Sequence, residues 1–89
     1  MRLDKFLKVS RLIKRRTVAA SACSGGKIQV NSRTAKAGYE LKLGDVIKIT
    51  FGSRQLEVEV MSINEHAAKG DAANMYKILS QDGAGGSFD

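Results

Sequence analysis

An α+β fold, two short packed helices beside a small, mostly antiparallel sheet, is the class this sequence predicts. Apolar residues near the N-terminus recur at helical spacing, and a slim segment rich in Ala and Ser follows before Gly25-Gly26 ends it. From Lys27 onward the period shortens to two, in brief runs divided by Asn-Ser, Gly-Asp and Gly-Ser turn pairs. With 89 residues, 43% of them hydrophobic, the chain holds one core and one domain.

The first helix is expected over residues 3–9. Leu3, Phe6 and Leu7 fall at i, i+3 and i+4 and make its apolar face, while Lys5, Lys8 and Arg11 point away. Asp4 lies in the first turn, where a carboxylate complements the helix dipole. Leu12 and Ile13 are expected to be buried in the connection. The second helix spans about 16–24, with Thr17 placed as its N-cap and Val18, Ala22 and Cys23 inward. Its small side chains allow close packing on the first helix, and glycine stops it by taking the left-handed cap conformation without a Cβ penalty.

Lys27–Val30 alternates like a half-buried strand, Asn31-Ser32 turns the chain, and Arg33 to Lys36 return. Tyr39, Leu41 and Leu43 lead to a Gly44-Asp45 turn. Val46–Phe51 sets Val46, Ile47, Ile49 and Phe51 against Lys48 and Thr50. With Gln55–Val60 it forms an antiparallel hairpin joined by Gly52-Ser53-Arg54. Residues 64–74 read as a polar loop with one helical turn, and Met75–Leu79 as a last short edge strand. The domain is expected over 1–79, and residues 80–89, polar and glycine-rich, as a flexible tail.

Charge decides the class of partner. The net charge is +6 with a pI near 9.8. Residues 1–36 carry ten Lys/Arg against the single acid Asp4, or +9, and residues 37–89 carry −3. That asymmetry favours a polyanion, nucleic acid before an anionic membrane surface. Lys14-Arg15-Arg16 precedes the second helix, at its positive dipole end, where a cation is disfavoured by roughly 0.3–1 kcal/mol. An anion seated among them reverses that penalty, as phosphate does at helix N-termini.

Other chemistries are excluded in turn. One cysteine, Cys23, forms no internal disulfide, suits a reducing compartment and reads as a small core residue. His66 is the only histidine, in a polar loop, so neither a metal site nor a nucleophile–base pair is expected, and no cofactor. Gly25-Gly26-Lys27 follows a helix and lacks phosphate-loop spacing. No signal peptide and no apolar run near ~20 residues is present, so a cytoplasmic protein is expected, without a membrane partner. A DNA-reading helix-turn-helix fails because Val-Ala-Ala-Ser-Ala-Cys-Ser offers nothing to base edges. Aromatics are few and not interleaved, so recognition should work by shape and backbone charge rather than stacking on a sheet. Glu57 and Glu59 leave room for a protein partner as a second activity. A catalytic role is not expected.

The order of motifs is specific: Arg2-Leu3-Asp4-Lys5-Phe6-Leu7, Arg11-Leu12, Arg15-Arg16-Thr17, Ala20, Gly26-Lys27-Ile28-Gln29-Val30-Asn31, and Gly44-Asp45 before Val46. Over residues 1–51 it resembles the S-four RNA-binding domain, or alpha-L motif, whose RNA-binding face comes from the two helices and the loop between them. The opening MRLDKFLKVSRLIKRRT and the late AANMYKIL resemble the small stand-alone members of bacterial ribosome-associated quality control. The related heat-shock members usually carry a longer basic C-terminal extension, whereas this chain ends in a short acidic, glycine-rich stretch.

The resemblance implies binding to large ribosomal subunits that carry peptidyl-tRNA, through the tRNA and the rRNA hairpin called helix sixty-nine. The tRNA is then held while a partner factor drives C-terminal alanine tailing; a monomer is expected. Carried over residue by residue, Arg2 and Arg16 are implied as rRNA contacts, with Asp4 orienting an arginine. Lys5, Lys8, Arg11, Lys14, Arg15 and Thr17 lie on the same face, and Lys27, Asn31 and Arg33 extend it. Where the family pattern places a serine this chain has Arg15, which leaves Thr17 as the hydroxyl able to cap.

Overall fold

The computed structural model describes residues 1–64 and 69–82. Helix α1 spans Leu3–Val9 and α2 Arg16–Ser24, the boundaries their periodicity indicates. Strands β1 (Ile28–Val30), β2 (Arg33–Thr34), β3 (Val46–Phe51), β4 (Arg54–Val60) and β5 (Tyr76–Asp82) form one antiparallel sheet, ordered β2-β1-β3-β4-β5. A 3-10 helix, Lys69–Met75, leads into β5. It occupies the part of the 64–74 loop that is described; His66 lies outside the described residues, as do 83–89 of the expected tail.

Burial follows the two periods. Leu3, Phe6 and Leu7 are fully buried and share one core with Ile28, Ile47, Ile49 and Val58 of the sheet. Alternation leaves Gln29, Lys48, Glu57 and Glu59 on the outer face, with Lys48 opposite Glu57 and Glu59 opposite Lys77. Val46, expected to side with Ile47, joins that outer face, because adjacent residues of a strand cannot share one. β5 is the edge strand expected, but it runs to Asp82 and carries a bulge opposite Glu57/Val58.

The connections are where the chain bends most sharply. α1 ends at Ser10, and Arg11 takes a left-handed φ of 63°, which turns Leu12 and Ile13 into the core. The Ile13 amide donates to the Leu7 carbonyl at 3.1 Å, closing that turn. Asn31 and Ser32 both have positive φ (53° and 70°), the backbone of a two-residue hairpin loop. Asn31 is fixed there by its amide: Oδ1 accepts the Val46 N–H at 3.0 Å and Nδ2 donates to Asp45 at 3.1 Å. The Gly44-Asp45 turn, with Gly44 at φ 88°, is thereby tied to the β1–β2 hairpin.

Candidate nucleic-acid interface

Asp4 stands at the centre of the basic face. It is 4% exposed, on a helix whose other inward residues are apolar. A carboxylate so placed must be paired to be tolerated. Arg2, the residue before α1, donates its Nε–H to Oδ1 at 3.2 Å, and the Lys5 backbone N–H donates to the same oxygen at 2.8 Å. Arg16, the first residue of α2, donates its Nε–H to Oδ2 at 3.4 Å. One buried carboxylate therefore holds two arginines at the starts of the two helices, while 57% and 48% of their side chains face solvent. Each Nε is engaged inward, so the terminal guanidinium nitrogens remain as outward donors for an anion.

The second helix begins without the cap expected of Thr17. Arg15 is the cap residue, extended (φ −114°, ψ 131°) and with no side-chain hydrogen bond to the helix, and Thr17 lies one residue inside α2. The helix begins at Arg16, as its expected range has it, so Thr17 falls inside the first turn, past the position from which a hydroxyl caps. The first turn contains no acid. A helix start bearing Arg15 and Arg16, with no acid in its own first turn and no side-chain cap from Arg15, offers its N–H groups and dipole to an external anion.

The other residues singled out from sequence fall into distinct places. Lys8, Arg11 and Lys14 are exposed on α1 and the connection, and Lys5 is half-buried beside Asp4. Lys27 is directed elsewhere: its Nζ lies 5.9 Å from the centre of the Phe51 ring, at a cleft between α2 and β3 that Thr17 also lines. Asn31 has both ends of its amide used inside the fold. Arg33 is exposed on β2 and lines a cavity with Tyr39. Geometry thus gathers Arg2, Asp4 and Arg16, with Lys5 beside them, while Lys27 lies over the Phe51 ring and Asn31 is held by Asp45 and Val46.

Cys23 is buried as expected, and burial pushes its thiol up to about 11, with the charge of Asp4 adding to the rise. Among the described residues no group of three or more His, Cys, Asp or Glu could hold a metal ion. No helix among them is long and apolar enough to cross a membrane.

Comparison with known proteins places the chain in a family. The S4 domain family matches residues 1–47. The RQC P-site tRNA stabilizing factor of Bacillus subtilis is 47% identical over 85 residues, covering 96% of this chain and 99% of the relative. The factor of the same name from Streptococcus pneumoniae is 49% identical over 81 residues, covering 91% and 92%. Among solved structures, trimeric Vibrio cholerae Heat Shock Protein 15 superposes with a TM-score of 0.81 at 26% identity, covering 90% of this chain and 82% of that one. The family match over more than half of the chain, and likeness over nearly the whole length of the relatives, lead to one conclusion: the chain belongs to the S4 domain family, among the RQC P-site tRNA stabilizing factors.

Proposed function

We propose that this protein is an RNA-binding factor of bacterial ribosome-associated quality control, acting in the cytoplasm. It binds large ribosomal subunits that carry peptidyl-tRNA and holds the tRNA in place during C-terminal alanine tailing. The observation that carries this reading is the pair of arginines held by buried Asp4, beside an α2 start without a side-chain cap. A rigid, outward-facing pair of guanidinium groups suits a fixed arrangement of phosphates better than a mobile polyanion tail. In this role the rRNA contact is the helix sixty-nine hairpin, the partner is the tailing factor, and the protein works as a monomer by binding rather than by bond chemistry.

Backbone recognition has a signature in salt: affinity falls by about 0.7–0.9 log units per log unit of salt for each phosphate neutralised. Co-sedimentation with vacant large subunits, intact ribosomes and peptidyl-tRNA-bearing large subunits tests the reading. Wild type is expected on the last of these selectively, and Arg16→Ala to bind it more weakly by roughly 1–3 kcal/mol. Equal binding to every particle, or a folded Arg16→Ala protein with unchanged binding, overturns it. The likeness to Heat Shock Protein 15 supports a second reading, rescue of stalled large subunits without tailing. Addition of the tailing factor separates the two, because only the first reading has this protein stimulate alanine addition.

A further inference from the structure

A groove runs beside the arginine pair that the basic motifs do not include. It has a volume of about 470 Å³ and lies between Ser24 at the C-terminal end of α2, with Gly26 just beyond it, and the segment carrying Thr34, Lys36, Ala37 and Gly38. None of its lining residues is acidic, and Lys36 is the one cation among them. Apart from Lys36 its walls are small side chains, two of which carry hydroxyls, so a ligand can approach the backbone closely. The cleft lined by Phe51 and Val18 differs: its cation, Lys27, lies over the Phe51 ring.

The groove is structurally joined to the Arg2–Asp4–Arg16 cluster. The backbone N–H of Asp4 donates to the Ala37 carbonyl at 3.1 Å, and that of Leu3 to the Tyr39 carbonyl at 2.9 Å. The Arg2 guanidinium lies beside Gly38, where a Cβ would stand 3.9 Å from Nη2. Cys23, on the groove's inner wall, is near enough for the Asp4 carboxylate to help raise its pKa. Arg2 and the 36–38 segment are therefore one rigid surface, and an RNA strand seated on the arginines is carried to the mouth of the groove.

We propose that this groove is a second RNA contact, continuous with the arginine pair: Lys36 binds a backbone phosphate, and the hydroxyls of Ser24 and Thr34 meet the adjoining ribose. The occupant is the sugar–phosphate backbone of the strand that Arg2 and Arg16 engage, so the inference rests on the RNA-binding reading above. Hydroxyls facing a ribose can exchange hydrogen bonds with its 2′-OH, the group that distinguishes RNA from DNA. Charge and shape each make a separable contribution. Lys36 supplies one phosphate contact, and the small walls supply the space for the strand.

The test measures binding to purified large ribosomal subunits carrying peptidyl-tRNA across a range of salt, with folding checked by circular dichroism. Lys36→Ala should weaken binding several-fold and reduce the log–log salt slope by about one. Ser24→Phe, at an exposed position, fills the groove without changing charge and should also weaken binding. Lys77→Ala, which removes the same charge from exposed β5 at the sheet edge, should leave affinity and slope at wild-type values. Arg16→Ala is run alongside. Equal effects of Lys36→Ala and Lys77→Ala, or wild-type binding by Ser24→Phe, overturn the groove assignment. If Arg16→Ala alone loses binding, the groove fails and the RNA-binding reading stands; if Arg16→Ala is also unaffected, both fail.

Discussion

Replacing Asp4 by Asn separates two accounts of the basic face, because they demand changes of opposite sign. If the face works only as a sum of positive charge, removing the carboxylate of Asp4 strengthens RNA binding. A unit charge about 7 Å from a phosphate is worth about 0.6 kcal/mol at the dielectric of water, less after screening. If Asp4 positions Arg2 and Arg16, the loss is larger than that gain. Each arginine then has to be ordered on binding, at about 0.5–1.5 kcal/mol per side chain, so two cost about 1–3 kcal/mol. The expected net result is weaker binding by about 0.5–2.5 kcal/mol despite a more positive protein.

Folding is affected less. Asn Oδ1 can still accept the Lys5 N–H, the shortest of the three contacts to Asp4. The two arginine contacts are long, at 3.2 and 3.4 Å, and their side chains are about half exposed, which discounts each to about 0.5–1 kcal/mol. A loss of roughly 1–2 kcal/mol in urea unfolding is expected, leaving the protein folded for equilibrium binding to peptidyl-tRNA-bearing large subunits. Binding by folded Asp4→Asn that equals or exceeds wild type at every salt concentration refutes the positioning role.

Two further outcomes follow from residues outside the arginine pair. Asn31→Ala removes two hydrogen bonds and puts alanine at a φ of 53°, so the urea midpoint should fall by the equivalent of about 1–3 kcal/mol with an unchanged m-value; an unchanged midpoint refutes its role in tying the two turns. The Cys23 thiol, raised from 9.0 to about 11, gives a stability contribution that is complete below about pH 9 and is lost as pH rises to 11. Because each midpoint is only half titrated at the ends of that range, the change between pH 9 and 11 amounts to about 2 kcal/mol, so wild type should lose that much more stability than Cys23→Ala. Parallel curves for the two proteins contradict it.

Much of the fold was legible because its signals are local. Leu3, Phe6 and Leu7 mark α1 by spacing alone, and Gly25-Gly26 stops α2 because Gly26 takes a φ of 74° that other residues resist. The start of α2 was less legible. A hydroxyl at Thr17 is a good cap by propensity, yet Arg15 holds the cap position, and Arg16 at the first helical position reaches Asp4, twelve residues away. Asn31 shows the same limit in the site. As a polar residue in a basic half it reads as a candidate for RNA, while its amide is held by Asp45 and Val46 across the sheet.

By itself the sequence determined the two helices, the period-two strands and the division of charge, since each is written in residues within a few positions of one another. The tertiary structure alone decided which charges meet. It placed β1 beside β3, brought the 36–38 segment against the N-terminus of α1, and set Arg2 and Arg16 on one buried carboxylate. Burying a carboxylate requires partners, and which partners are within reach depends on how the helices pack on the sheet, a condition that no local pattern of residues specifies.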